Sequence, residues 1–191
     1  MHFRLGKDAM ANRDRFKKRS YLRFFAPNAG GEYTYTGGYY ALKGGGYGAY
    51  AVRLVVFTAI ASVCAVLSGV LDLPGMKNSF YLIIPFILEV GFTGSVVWGA
   101  VKYFANAKPL REYVYTATAG AFHRRALLSA VFAGVGVVSE TVFLILSGEK
   151  GQAFAAAGFY LLKAAVIISM LLLRHFVRGA EWTLSAAQTK R

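Results

Sequence analysis

Four long apolar blocks, with most of the charge gathered between them, constrain this chain more than any other feature of its sequence. They cover residues 54–71, 80–101, 126–146 and 153–173. Each holds about 18–22 residues, the length of helix that crosses roughly 30 Å of hydrocarbon. Turn signals close the first and third blocks: Asp72-Leu73-Pro74-Gly75 and Ser147-Gly148. A soluble chain that is 56% hydrophobic would scatter its apolar residues; here they collect while a net charge of +13 collects outside them. A bilayer imposes that segregation, because ionised side chains are costly in hydrocarbon. The fold class expected is an all-α integral membrane protein, a four-transmembrane-helix bundle of two helical hairpins.

Loop charges set the expected orientation. Residues 1–51 form a basic, Gly/Tyr-rich N-terminal region, the middle connection 102–125 holds Lys102, Lys108, Arg111, Arg124 and Arg125, and the tail 174–191 holds Arg174, Arg178, Lys190 and Arg191. The two short connections hold only Lys77 and Lys150. Lys and Arg favour the cytoplasmic side, so both termini and the middle loop are expected there, in the plasma (inner) membrane. No early apolar stretch precedes residue 51, so the first block is read as an uncleaved anchor. The same basic residues explain the net charge without nucleic acid, which is not an expected partner.

A short motif recurs on that side. Glu32-Tyr33-Thr34-Tyr35-Thr36 precedes the first hairpin and Glu112-Tyr113-Val114-Tyr115-Thr116 the second. A duplication would give parallel repeats about an axis along the membrane normal; chance recurrence is the alternative. Around the first copy, two strand-like runs flank Gly37-Gly38, which predicts a small cytoplasmic β-hairpin with a primed turn. The second copy is a candidate to add a strand at its edge. Residues 1–25 interleave Arg13, Arg15, Lys17, Lys18, Arg19 and Arg23 with Phe3, Phe16, Phe24 and Phe25. That mixture suits an interfacial helix on anionic lipid, or a solvated basic tail. Lys17, Lys18, Arg19, Arg53, Arg124 and Arg125 are the expected lipid-facing cations. Lys102, Arg111, Arg124 and Arg125 are also candidates to hold a headgroup or a phosphate.

Three ionisable residues fall inside the blocks: Glu89, Glu140 and Lys163. Counted from the hairpin ends, Glu89 lies about 14 Å deep, Lys163 about 15 Å and Glu140 about 9 Å. Glu89 and Lys163 thus share a level, with Glu140 within reach of a snorkelling lysine. Ala126, Ser129, Ala130, Ala133 and Val137 put Glu140 on a small-residue stripe, and Ala153, Ala156, Ala157, Tyr160 and Ala164 flank Lys163. Tyr160 is expected to hydrogen-bond one of the charges. Two carboxylates and one amine leave one acid over. The cluster is an ion pair fixing helix register, a polar site for a proton, ion or small solute, or a contact for a partner protein's intramembrane charge.

Motifs for catalysis are absent: no HExxH, CxxC, P-loop or GxSxG pattern occurs. Cys64 is the sole cysteine, and the histidines His2, His123 and His175 lack the neighbours a metal site requires. No catalytic residue, cofactor or metal is expected. The sequence therefore favours a non-enzymatic subunit or scaffold of a membrane assembly, with anionic lipid and a membrane protein or a second copy as partners. The alternative is a small oligomeric transporter or channel built on Glu89, Glu140 and Lys163.

Overall fold

Hydrocarbon leaves a chain two ways to pair its backbone, a helix or a closed barrel, and these four apolar blocks take the first. The computed structural model describes residues 24–27, 31–71, 73, 75–76, 79–147 and 153–185. Lys17, Lys18, Arg19, Lys77 and Lys150, and most of the expected interfacial segment 1–25, lie outside the described residues. In chain order the elements are β1 (Phe25–Pro27), β2 (Tyr33–Tyr35), β3 (Tyr39–Leu42), α1 (Tyr47–Val70), α2 (Phe80–Ala105), β4 (Leu110–Arg111), α3 (Glu112–Ala117), α4 (Ala119–Ser147), α5 (Ala153–Gly179) and β5 (Trp182–Ser185). Helices α1, α2, α4 and α5 are long and apolar enough to cross a membrane.

Each of these helices runs past its apolar block at the end where β3 and β5 lie. Helix α1 starts at Tyr47, α2 continues to Ala105, α4 starts at Ala119 and α5 reaches Gly179. Hydropathy stops at Arg53, Lys102, Arg125 and Arg174, whereas the helical hydrogen-bond ladder does not. Long basic side chains can leave the apolar layer while their backbone stays helical.

The four helices close a ring: α1 packs on α5, α5 on α4, α4 on α2 and, less closely, α2 on α1. Helices α2 and α5 therefore face each other across a diagonal. The inward stripe of α1 is Tyr50, Leu54, Thr58, Ala61, Ala65 and Ser68, and that of α4 includes Ala126, Ser129, Ala133, Gly136 and Glu140. Small residues let helices approach where no hydrophobic force separates helix from lipid. Between α2 and α4 the hydroxyls of Thr93 and Ser129 meet at 2.7 Å in the interior.

Helix α5 corrects the expected stripe. Ala156, Phe159, Lys163, Val166, Met170 and Leu173 point inward, while Ala157 and Ala164 are exposed and Tyr160 is half-buried. Burying Lys163 fixes the helix rotation, and the three- and four-residue steps from it select Ala156 and the bulky residues, leaving Ala157 and Ala164 outside.

At that same end, three segments distant in sequence fold into a cap. Strand β3 is central to an antiparallel sheet ordered β4-β3-β5, with Tyr40 opposite both Leu110 and Leu184. Leu42, Leu110, Val114 and Trp182 join the same apolar core as the helices. The predicted hairpin across Gly37-Gly38 does not form. Strand β2 pairs instead with β1, Phe25 opposite Tyr35, and β3 belongs to the other sheet. A primed turn needs positive φ, and Gly37 and Gly38 do not adopt it, whereas Gly31 in the β1–β2 connection sits at φ +78.

The two E-Y-x-Y-T copies also diverge. The first forms β2 and the second forms α3, so the expected structural repeat does not extend to them. The edge strand on β3 is Leu110–Arg111, just ahead of the second copy.

Candidate functional site

Glu89 and Lys163 meet across the α2–α5 diagonal. Both side chains are fully buried, and Lys163 Nζ donates to Glu89 Oε2 at 2.5 Å. The rings of Phe86 and Phe159 flank the ammonium, with centroids at 4.9 and 5.1 Å. A charge cannot rest in hydrocarbon without such company; opposite charge and aromatic faces stand in for the water it left. Of the two glycines nearest the pair, Gly69 is required by the packing, while Gly136 leaves room for a methyl group. A Cβ on Gly69 would come within 2.3 Å of the Phe86 ring, and one on Gly136 would stand 3.8 Å from Lys163 Cε. Pro85 lies in the second turn of α2, one turn before Glu89, without interrupting the helix.

Glu140 is the acid left over. It is fully buried, and neither carboxylate oxygen has a hydrogen-bond partner among the described residues. It lies beside the α1–α2 connection, where a Cβ on Gly75 would come within 2.9 Å of Oε2. The expected contact between Tyr160 and a charge does not occur. The Tyr160 hydroxyl pairs with Thr141 Oγ1 at 3.0 Å, because the rotation that buries Lys163 turns Tyr160 toward the α4–α5 seam.

The described cations at the capped end have different surroundings. Arg124 is exposed. Arg53 is exposed too, its guanidinium 5.1 Å from the Phe176 ring centroid, and it lines two adjoining surface cavities of about 480 and 440 Å³. Arg125 is half-buried and hydrogen-bonded within the protein. It donates to the carbonyls of Ser95 at 3.0 Å and Ala117 at 3.2 Å, tying α4 to α2 and to the end of α3. Gly99 opens the space for it, since a Cβ there would meet Phe122 at 2.6 Å and Arg125 Nη1 at 3.0 Å.

Sequence reasoning did not anticipate the aromatic ring system of the cap. Tyr40 and Tyr115 stack at 3.9 Å, and Tyr35 and Tyr113, one from each motif copy, meet edge to face at 6.0 Å. The Tyr35 hydroxyl donates to Gly38 O at 2.8 Å and accepts from Glu112 N–H at 2.9 Å. Burial raises the Tyr35 pKa above its usual value, so the phenol stays protonated and able to donate. The recurrence of tyrosine in both copies was the available signal for this contact.

Among the described residues no group of three His, Cys, Asp or Glu side chains could hold a metal. No protein-family model, curated protein or solved structure matches the chain, so its own residues carry the functional reading.

Proposed function

We propose that this protein is a non-catalytic subunit or scaffold of a larger membrane assembly, with both termini and the cap on the cytoplasmic side of the plasma (inner) membrane. One observation carries the reading: β3 from before the first hairpin, β4 and α3 from the middle loop and β5 from after the last helix build one cap whose apolar core is continuous with the bundle. A folded face made at the expense of three loops suits a surface that another protein reads. Its outward apolar residues, Tyr33 at 66% exposure and Leu184 at 61%, are the contact candidates.

The test is native extraction into lipid nanodiscs with mass spectrometry, on the wild type and on Leu184→Asp. A stoichiometric partner lost in Leu184→Asp, with the bundle still folded, supports the reading. A homo-oligomer with no second protein in either sample overturns it.

Glu140 favours a second reading, a small oligomeric transporter or channel for a proton, ion or small solute using Glu89, Glu140 and Lys163. A buried carboxylate with both oxygens unpartnered is the kind of group that binds and releases a cation. Flux into proteoliposomes that disappears in Glu140→Gln supports this reading; equal leakage with and without the protein removes it.

A further inference from the structure

Beside the cap, where α2 ends at Ala105, lies a half-open surface cavity of about 430 Å³. Its polar lining comes from Tyr39, Asn106, Lys108 and Arg111, and among the described residues no carboxylate lines it. Two cations around one polar cavity repel each other unless an anion joins them.

Both cations are held in place. Lys108 Nζ donates to the carbonyls of Tyr103 at 2.5 Å and Asn106 at 2.9 Å, and lies 4.1 Å from the Tyr103 ring centroid. An ammonium has three donors, and these carbonyls engage two of them. Arg111 Cζ stands 5.1 Å from the Tyr35 ring centroid. The Tyr113 hydroxyl, and then that of Tyr39, raise the Arg111 pKa above its usual value. Those partners are phenols and not acids, so the guanidinium charge is not neutralised. Neither cation forms a salt bridge among the described residues. Burial lowers the Lys108 pKa from its usual value with no acid nearby to oppose it. A neighbouring anion would favour the charged amine.

We propose that this cavity binds a phosphate group, held between the Lys108 ammonium and the Arg111 guanidinium with Asn106 and Tyr39 as neutral partners. A planar guanidinium and a point-charge ammonium are the usual pair for that anion. The cavity opens at the end of α2, a helix long and apolar enough to cross a membrane, where a headgroup would lie if α2 spans the bilayer. The phosphate therefore belongs to an anionic lipid headgroup or to a soluble phosphate compound. This assignment does not depend on a protein partner, so it can hold or fail separately from the subunit reading.

The full chain in maltoside micelles, which carry no phosphate, separates the two sources. One arm titrates inorganic phosphate against chloride at matched ionic strength; the other adds phosphatidylglycerol. The thermal unfolding midpoint is the readout. A saturable rise in the phosphate arm identifies a soluble ligand, and a rise in the lipid arm alone identifies a headgroup. In either case, the double variant Lys108→Gln plus Arg111→Gln weakens apparent affinity about tenfold or more. Lys102→Gln removes one positive charge at an exposed residue over the Trp98 ring, outside the cavity, and leaves affinity unchanged. Should the double variant fail to fold, Asn106→Asp keeps both cations and places a competing carboxylate in the cavity, with a similar loss expected. No rise in either arm overturns the assignment, as does a rise that persists in Asn106→Asp and the double variant alike.

Discussion

Glu140 aside, the middle of the bundle and the cap at its end solve one problem, polar groups that must not be left alone, in opposite ways. In the bundle a single ion pair, Glu89–Lys163, spans the diagonal, with one interior hydroxyl pair, Thr93–Ser129, on a neighbouring seam. In the cap many modest contacts share the work: sheet hydrogen bonds, tyrosine edges and the Tyr35 hydroxyl bridging Gly38 and Glu112. The difference follows from the surroundings. A group stranded in hydrocarbon has no water to fall back on, whereas one stranded at the cap does. Losses in the bundle should therefore be large and concentrated, and losses in the cap small and distributed.

The sharpest way to break that contrast is Lys163→Met. It leaves Glu89 buried without its partner, and removing one member of such a pair costs about 3–5 kcal/mol. The double change Lys163→Met plus Glu89→Leu should recover most of that loss. Folded fraction against rising SDS measures both. A single variant as stable as the wild type would mean that Glu89 finds water or another partner, and the bundle would then resemble the cap.

Glycines give a second comparison. Gly99→Ala drives a methyl into Phe122 and Arg125, and overpacking of this kind costs about 1–3 kcal/mol. At the β3–α1 turn Gly45 faces open space, yet its φ of +68 disfavours any side chain. Gly45→Ala should cost about 1–2 kcal/mol through the backbone alone. A suppressor separates the mechanisms: Phe122→Leu should relieve Gly99→Ala and leave Gly45→Ala as it was. Relief of both would show that cap and bundle share one packing network.

Tyr35→Phe should cost less, about 1 kcal/mol, since the Glu112 N–H is only partly buried and can turn to water. Amide hydrogen exchange at Glu112 reads the loss locally. Faster exchange confined to α3 and β2 fits a distributed cap, while faster exchange through α4 would tie the cap to the bundle more tightly than its contacts suggest.

The bundle was the legible part of this chain. Block length and segregated charge gave four helices of spanning length, and depth counting put Glu89 and Lys163 at one level because helical rise is uniform. Helix rotation was less legible. On α4 the small residues marked the inward face, but on α5 Ala157 and Ala164 misled, because small residues are tolerated on the outside as well. In the cap, one pentapeptide pattern became a strand in one place and a helix in the other. Tertiary partners decided, with β1 pairing with Tyr33–Tyr35 and β4 delivering Glu112 to a helix start. The cavity between Lys108 and Arg111 depends on those same long-range pairings, so its parts were visible in the sequence and their assembly was not.

The smallest effect expected lies at the cap's outer edge, where Lys43 Nζ meets Glu181 Oε2 at 2.7 Å with both side chains exposed. The Lys43 ammonium holds the Glu181 carboxyl below its usual 4.5, and Glu181 holds the Lys43 amine above its usual 10.5. For Glu181, whose folded pKa is depressed, the gain is present above pH 4.5 and lost as pH falls through the folded value. For Lys43, whose folded pKa is raised, the gain is present below pH 10.5 and lost as pH rises through the folded value. The difference in thermal midpoint between wild type and Glu181→Gln should therefore be flat between these limits and vanish outside them. Water and salt screen a pair this exposed, so the plateau should be barely measurable and should shrink with added salt. A plateau as large as the loss from Tyr35→Phe would mean that ion pairs, and not tyrosines and sheet hydrogen bonds, hold the cap's edge. The contrast between bundle and cap would then be one of degree only.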